Sequence, residues 1–247
     1  MAFKRFGGKR KRDPEEDRLR RQAAWVPKTE AGKMVQQGLI GSMDQLHDKG
    51  LPILEPEIID ALLPEIESRP LHFNRTTRVR DSGRVFQQQV LVIVGNRNGW
   101  VGYGLGKAKN ARAAVEKAER EAKLNLVRVP RGCGSWECAC DTNHSLPVKF
   151  EGKNGSVRVT LMPAPRGVGL VAGQTAKQIL ELAGIKDVWL QTRGDTRTIG
   201  NFAKAVINAI ESGNKKKSLF SRKFEAPKAR IIEAPVEAIQ QELQKTV

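Results

Sequence analysis

A run of five aliphatic residues limits what this chain can fold into more than any other feature. The run Val90 to Val94 reads VLVIV and is followed at once by Gly95 and Asn96. Short branched aliphatic runs that end at a turn are typical of buried β-strands. The segment 77–94 therefore predicts two strands around the turn signal at 81–83, and 100–105 predicts a third strand after the Asn98-Gly99 turn.

A helix is predicted directly after these strands, over 107–124. Its inward stripe consists of small and branched residues that permit close approach to a sheet, namely Ala111, Val115, Ala118 and Ala122. Its other face is basic, and the whole stretch 75–131 contains thirteen Lys or Arg against four Asp or Glu. With a formal net charge of +16 for the chain, this excess predicts a polyanionic partner.

Three alternate glycines before Lys107 suggest a nucleotide site, but the spacing excludes one. A Walker loop needs four residues between its first Gly and the Gly-Lys pair, and here that first position is Val101. The dinucleotide fingerprint fails as well, because position 107 is not Gly. The sequence instead predicts a flexible glycine turn and a helix N-terminus beside Lys107 and Lys109, suited to a phosphodiester backbone.

The second half of the chain repeats strand and helix signals around a separate predicted core. Strands are predicted at 145–150, 156–162 and 187–191, with a turn at 152–155. Helices are predicted at 175–183, ended by Gly184, and at 198–211. The chain is therefore expected to be an α+β protein of two domains, at 73–136 and 137–212.

The remaining segments are predicted to be extensions. Residues 1–24 read as a basic disordered tail, and the acids at 13–17 argue against a mitochondrial targeting segment. Residues 25–72 read as a docking extension with one short helix between Pro56 and Pro64. Residues 213–247 read as a basic linker and a short C-terminal helix. No stretch approaches the roughly 18 to 20 apolar residues that span a bilayer, so no membrane is expected.

All three cysteines fall in one eight-residue window with a histidine four positions on. Cys133, Cys138, Cys140 and His144 supply three thiolates and an imidazole, which can complete a tetrahedral zinc shell. The spacing is not that of a standard finger. The alternative is three reduced thiols and a locally bonded histidine, whereas His47 and His72 are isolated.

Several long strings resemble the universal small-subunit ribosomal protein five family. They are DSGR at 81–84, VLVIVGNRNGWVGYGLG at 90–106, GSVRVTLMPAPRGVG at 155–169, LAGIKDVW at 182–189 and GNFAK at 200–204. Trp25 to Thr29 and the RGCGSWECAC loop at 131–140 are similar to its archaeal branch. The resemblance covers roughly 25–210.

The resemblance implies a first domain like a double-stranded-RNA-binding βββα module and a second domain with a left-handed βαβ crossover. It implies a structural, non-enzymatic protein that is cytoplasmic, on the small ribosomal subunit, in contact with rRNA. The implied protein partners are small-subunit proteins four and eight, and protein three near the messenger RNA entry. The hairpin loop 78–84 is implied to influence translational accuracy.

The candidate RNA contacts combine this resemblance with the positions of basic residues in loops, at helix starts and at element ends. They are Arg78, Arg80, Arg84, Arg97, Lys107, Lys109, Arg112, Arg128, Arg131, Arg166, Arg193 and Arg197. The alternative function is an RNA-processing enzyme or its accessory subunit. No paired carboxylates, nucleophile with a base, or phosphate-cradling loop supports it.

Overall fold

The computed structural model describes residues 25–138, 140 and 142–223, with side chains as far as Lys215. The predicted tail at 1–24 and the predicted C-terminal helix within 224–247 lie outside the described residues. The described helices are α1 (Glu30–Gln36), α2 (Met43–Asp48), α3 (Pro56–Leu62), α4 (Ala111–Leu124), α5 (Gln174–Leu182) and α6 (Ile199–Lys223). No helix in these ranges is both long and apolar enough to cross a membrane.

The first domain is an antiparallel sheet in the order β1-β2-β3-β4, with α4 on one face. Its strands are β1 (Glu67–Arg80), β2 (Gly83–Gly95), β3 (Trp100–Ala108) and β4 (Leu126–Arg128). The aliphatic run lies in β2 and is fully buried, as predicted. Because side chains alternate along a strand, Val90, Val92 and Val94 pack on α4, whereas Leu91 and Ile93 face the opposite side.

The predicted glycine turn before α4 is wrong. Gly102, Gly104 and Gly106 lie within β3, where an added Cβ would come within 2.1–2.3 Å of the backbone oxygens of Ala122, Ala118 and Ala114. The glycines thus allow the helix to approach the sheet closely. Strand β3 continues through Lys107 to Ala108, so α4 begins at Ala111, which is exposed instead of inward.

The second domain is a four-stranded sheet in the order β5-β6-β8-β7. Its strands are β5 (Phe150–Asn154), β6 (Val157–Pro163), β7 (Leu170–Val171) and β8 (Val188–Arg193). The strand predicted over 145–150 is wrong, since Ser145 makes only an isolated bridge to Gly132 and β5 begins at Phe150. The turn is at 155–156, because Gly152 lies in β5 against α6.

A parallel crossover runs from β7 through α5 to β8. Among the described strands this is the one parallel pairing, and it gives the second domain the βαβ unit that the family resemblance implies. The left hand of that crossover stays a prediction.

The expectation of separate cores is wrong. Leu91, Ile93 and Val101 of the first sheet belong to the same buried cluster as Phe150, Leu180 and Val206 of the second domain. The turn between β2 and β3 also bonds the end of α5: the Arg97 N–H donates to Leu182 O at 2.9 Å, and the Gly99 N–H donates to Ala183 O at 3.2 Å. The last carbonyls of a helix have no partner within the helix, so the first domain supplies one.

The extension forms three short helices instead of the single predicted one, and the two additional helices, α1 and α2, both precede it in the chain. Helix α3 does begin at Pro56 and ends before Pro64, as predicted. Lys123 of α4 forms a half-buried ion pair with Asp60 of α3, 2.6 Å from Nζ to Oδ1. The extension is therefore packed against the first domain.

Glu55 holds the start of the extension. Its carboxylate accepts hydrogen bonds at 2.8 Å from the Trp25 indole and from the Lys28 and Thr29 N–H groups. Burial raises the pKa of Glu55, but the bonds from Lys28, Thr29 and Trp25 more than offset this, so its pKa lies below the usual value.

Helix α6 continues to Lys223, so 213–223 is helical where a linker was expected. The helix packs closely on β5 there: an added Cβ on Gly213 would meet the Phe150 ring at 2.4 Å. An ion pair of 3.2 Å between Lys215 and Glu211, one turn apart, supports the same stretch.

Candidate nucleic-acid interface and metal centre

Strands β1 and β2 extend beyond the rest of the first sheet as a two-stranded ribbon. Pairing of β2 with β3 stops at Gln88↔Ala108, whereas five further pairs join β1 and β2, from Thr76↔Gln87 to Arg80↔Gly83. At about 3.4 Å per residue, this ribbon of residues 76–80 and 83–87 projects roughly 17 Å. Gly83, with φ of 118°, closes the turn at its tip as the sequence predicts.

The ribbon carries three of the predicted RNA contacts, and all three are exposed. Arg78 and Arg80 lie on one face, and Arg84, opposite Val79, lies on the other. Among the described residues, none of these three guanidinium groups has an ion-pair partner. Three unneutralised cations on a narrow projection form a surface suited to a polyanion.

Apolar side chains share the ribbon with these arginines. Val79 is 73% exposed and Phe86 45%, and the Arg75 guanidinium lies 3.9 Å above the Phe86 ring. This cation–π contact holds Arg75 over the ribbon face that also carries Arg84, which lies four register positions closer to the tip. The sequence analysis left Arg75 out of the candidate contacts; its pairing opposite Gln88, next to Phe86, appears only once the register is known.

Three of the predicted contacts instead hold the protein together. Arg97 bonds Glu67 at 2.9 Å, Arg128 lies 3.3 Å from Asp44, and Arg131 donates to the Asn98 side chain at 2.7 Å. These bonds link the extension, the first sheet and the interdomain loop. Arg112 is paired only with Glu116, one turn on, and its side chain is 93% exposed.

The two predicted lysines near α4 are exposed but do not lie on the helix. Lys107 is the second-last residue of β3, opposite Gln89 of β2, and Lys109 is in the connection before the helix. Since β2 and β3 part at this point, both lysines are near the base of the ribbon. They extend its basic surface toward the sheet.

The three predicted contacts of the second domain, Arg166, Arg193 and Arg197, are also exposed. The register shows what the sequence alone did not: Lys153 of β5 pairs with Arg158 of β6, which pairs with Arg193 of β8. Spacings of 5 and 35 residues give no periodic signal along the chain, so only the sheet pairing brings these three together.

The structure brings together all four predicted metal ligands. Their donor atoms lie within 4.8 Å of one another, with Cys138 Sγ 2.9 Å from Cys140 Sγ and 3.8 Å from His144 Nε2. Zinc–ligand bonds of about 2.0–2.3 Å at tetrahedral angles separate donors by roughly 3.5–3.8 Å. The set thus fits a tetrahedral ion with small movements of the thiols.

Backbone pairing closes the loop that holds the cluster. Gly132 and Ser145 exchange two hydrogen bonds, and the Gly134 N–H donates to Leu146 O at 3.0 Å. An added Cβ on Gly134 would lie 2.1 Å from Pro147 O, so glycine permits this close approach. The result is that Cys133 lies next to His144 although eleven positions separate them in the chain.

Asp187, which sequence reasoning missed, orients the histidine. Its Oδ2 lies 2.7 Å from His144 Nδ1, and its Oδ1 accepts the Gly167 and Gly169 N–H groups at 3.1 and 2.8 Å. An ionised carboxylate only accepts, so His144 donates from Nδ1 and directs the Nε2 lone pair at the thiols. Carboxylate–histidine pairs of this kind are usual behind zinc ligands.

The thiols are in unequal surroundings. Hydrogen bonds from Cys138 and Thr142 lower the pKa of Cys140 to about 6, whereas burial raises the pKa of Cys133. A thiolate is the form that binds metal. The lowered pKa makes Cys140 more readily converted to the metal-binding form than Cys133.

The isolated aromatic and histidine residues have structural surroundings. Trp100 is buried between the extension and the first sheet, and the exposed His47 contacts its ring edge at a centroid distance of 6.0 Å. Tyr103 is half-buried against the shared core, whereas His72 is exposed on β1. Trp100 is therefore a packing residue.

Sequence comparisons agree with the architecture. The chain matches the family profiles described as ribosomal protein S5, N-terminal domain, over residues 66–130, and ribosomal protein S5, C-terminal domain, over 152–223. The first match begins next to β1, and the second covers β5 to α6.

Relatives match over most of their length. The small ribosomal subunit protein uS5 of Pyrobaculum islandicum is 56% identical over 188 residues, covering 76% of this chain and 93% of the relative. That of Methanocaldococcus jannaschii is 52% identical over 207 residues, covering 84% and 93%. The two profiles match both domains, and the relatives are more than 50% identical over most of the chain. The chain therefore belongs to the ribosomal protein S5 family.

Proposed function

We propose that this chain is a structural, non-enzymatic constituent of the small ribosomal subunit that binds rRNA through phosphate contacts. The observation that carries the proposal is the projecting ribbon with Arg78, Arg80 and Arg84 exposed and unneutralised. Family membership supports the same role and a cytoplasmic location on the ribosome. Nothing in the comparisons or in the described residues favours an RNA-processing enzyme.

The basic ribbon suits recognition by shape and charge. Duplex RNA has a narrow major groove that side chains cannot read, so proteins bind its phosphates and 2′-hydroxyls. A ribbon two strands wide presents guanidinium groups on both faces, and guanidinium groups bind phosphate oxygens in a bidentate manner. Lys107, Lys109 and Arg112 continue this surface at the base of the ribbon.

The test is the salt dependence of binding to small-subunit rRNA. Each phosphate contact contributes about 0.7–0.9 to the slope of log K against log salt, so R78Q/R80Q/R84Q should lower the slope by about two. A matched control, K28Q/K33Q/K49Q, removes the same charge from the extension. A slope that falls equally in both variants, or in neither, would reject the ribbon as the binding surface.

We also propose that the ribbon contributes to messenger entry and translational accuracy, the roles that the family resemblance implies. A projection of roughly 17 Å can reach beyond the site where the sheet itself is anchored. Charge removal at Arg78 and Arg80 should then change misreading while subunits still assemble. Assembly failure with unchanged fidelity in the surviving particles would make the ribbon purely architectural.

The proposed protein neighbours are small-subunit proteins four and eight, with protein three near the messenger entry. Exposed apolar residues of the extension such as Leu39 and Leu54 provide surface, away from the ribbon, that a protein neighbour can cover. Cross-linking of purified small subunits tests this, since each named neighbour should yield a cross-link to this chain. Cross-links to other subunit proteins in their place would contradict the assignment.

Cys133, Cys138, Cys140 and His144 are proposed to hold one structural zinc ion. The support is the donor set, its spacing, and Asp187 behind His144. Four protein ligands leave no open position, so the ion would order the loop and perform no catalysis. Asp187 would extend this order to the 167–169 loop through its two backbone bonds.

Metal analysis of protein purified without chelator tests the site. The native chain should carry one zinc, C138S should carry none, and D187N should bind zinc about 10–100-fold more weakly. W136A is the matched control, because Trp136 is in the same loop, is 91% exposed and has no ligand atom. Clearly less than one zinc in the native chain would leave three reduced thiols as the correct description.

A further inference from the structure

A row of three cations crosses the second sheet. Lys153, Arg158 and Arg193 are direct neighbours on β5, β6 and β8, so their side chains project from the same face of the sheet. The flanking residues of β6, Val157 and Val159, are buried on the other face, where α6 packs. This cation row therefore lies on the outer face, and all three of its residues are exposed.

The row is an unfavourable arrangement for the protein alone. Like charges directly opposite each other on neighbouring strands destabilise a sheet. Within the described part of the chain, no acidic side chain forms an ion pair with any of the three. Glu151, in the adjacent row of the same face, lies 3.0 Å from Lys149.

Cations that serve packing elsewhere in the fold have acidic partners. Arg69 lies between Glu67 and Glu181, and Lys123 is paired with Asp60. The fold therefore neutralises cations where they serve packing. Three cations aligned without such neutralisation point to an anion that arrives from outside.

We propose that Lys153, Arg158 and Arg193 form a second RNA-backbone site, on the outer face of the second sheet and separate from the ribbon. The inference deepens the proposed rRNA binding and rests on it. Strands are about 4.8 Å apart, so the row spans roughly 10 Å, a line of positive charge that a phosphodiester backbone can follow. Two of the three residues are arginines, whose planar fork suits phosphate.

The neighbouring row favours RNA over an acidic protein segment. Thr160 and Gln191 lie beside the cations on the same face and are polar, and the one acid of that row, Glu151, lies 3.0 Å from Lys149. Such groups can bond sugar hydroxyls or base edges next to a bound backbone. The surface thus combines charge for phosphates with donors and acceptors for the rest of the nucleotide.

The experiment compares three charge-matched variants of the full chain in binding to in vitro transcribed small-subunit rRNA. The row variant K153Q/R158Q/R193Q should lower the log–log salt slope by about two, and the ribbon variant R78Q/R80Q/R84Q should do so independently. The extension variant K28Q/K33Q/K49Q should leave the slope nearly unchanged. The thermal midpoint of the free row variant should not fall, because the substitutions remove repulsion.

The outcomes separate this inference from the proposed function. If the row variant behaves like the extension variant while the ribbon variant loses slope, the second site is wrong and the first stands. If neither row nor ribbon variant loses slope, the rRNA-binding proposal fails as well. An unchanged RNA slope with weakened binding of the row variant to polyglutamate would assign the row to an acidic protein segment and overturn the RNA site.

Discussion

The two ends of strand β2 are in opposite surroundings. Its last residues, Val90 to Gly95, are buried between α4 on one face and the shared core on the other. Its first residues, in the ribbon, are mostly exposed on both faces. One continuous strand thus joins a region fixed by packing to a region left free for a ligand.

The arginines follow the same division. Near the buried end, Arg97 and Arg131 bond groups of the protein, whereas Arg78, Arg80 and Arg84 on the ribbon bond none that the structure describes. A basic residue in a loop therefore does not by itself indicate an RNA contact. Whether the fold already neutralises it is the better criterion.

The largest effect is expected from truncating the buried end. Ile93→Ala should destabilise the protein by about 2–5 kcal/mol, since Ile93 is fully buried in the shared core. Phe86→Ala on the ribbon should cost less than about 1 kcal/mol, because Phe86 is 45% exposed. Urea unfolding measures both.

The same unfolding curves test whether the core is truly shared. In single-tryptophan variants, fluorescence from Trp189 in the second domain and from Trp100 in β3 of the first should report one coincident transition. Two separate transitions in Ile93→Ala, with only the first domain affected, would show that the two domains have separate cores.

A smaller effect is expected from the partnered arginines. R97Q/R128Q/R131Q should destabilise the free protein by about 1–2 kcal/mol, because these bonds are partly exposed and screened. Its salt slope for rRNA should stay near that of the native chain. A loss of slope as large as that of R78Q/R80Q/R84Q would show that partnering does not separate structural from RNA-binding arginines.

The smallest effect concerns the extension. The pKa of Glu55 lies below its unfolded value, so its contribution to stability is present above about pH 4.3 and is lost as pH falls through the lower, folded pKa. Glu55→Gln should be less stable than the native chain at neutral pH and equal to it in acid. Hydrogen exchange of the Trp25 indole N–H reports this directly.

Ser42→Ala is a useful companion to that variant. It removes the hydroxyl that accepts the Gln45 N–H at the start of α2 but leaves in place the bonds that Glu55 accepts from Trp25, Lys28 and Thr29. Its effect should therefore be independent of acid pH. A matching pH profile in both variants would mean that Glu55 is not the titrating group.

Much of the fold was predictable because local signals agreed with it. The VLVIV run, the turn at 81–83 and the proline at 56 each determine one element through side-chain shape or backbone geometry. The strand predicted at 145–150 failed because Leu146, Val148 and Phe150 alternate as in a strand, while Ser145 instead bridges to Gly132. The glycines of β3 were misinterpreted because close helix approach leaves the same sequence pattern as a flexible turn.

The metal ligands were predictable from the sequence, but Asp187, which orients His144, was not. Four Cys and His residues in a short window are a local signal. Asp187 is 43 positions from His144, and a single acid before a strand has no distinctive pattern. The cation row likewise depends on register, which hydrophobic alternation predicts only by face and not by pairing partner.

The bonds between the β2–β3 turn and the end of α5 have a mechanical consequence. Strand β2 is 13 residues long and runs without a break from that turn to the ribbon tip, roughly 43 Å at about 3.3 Å per residue. The end of β2 at this turn is held to the second domain by the bonds from Arg97 and Gly99 to the end of α5. A Cβ added at Gly184 would collide with Arg97 O at 2.1 Å, so a larger residue at position 184 is expected to displace the β2–β3 turn and, through the continuous strand, the arginines at the ribbon tip.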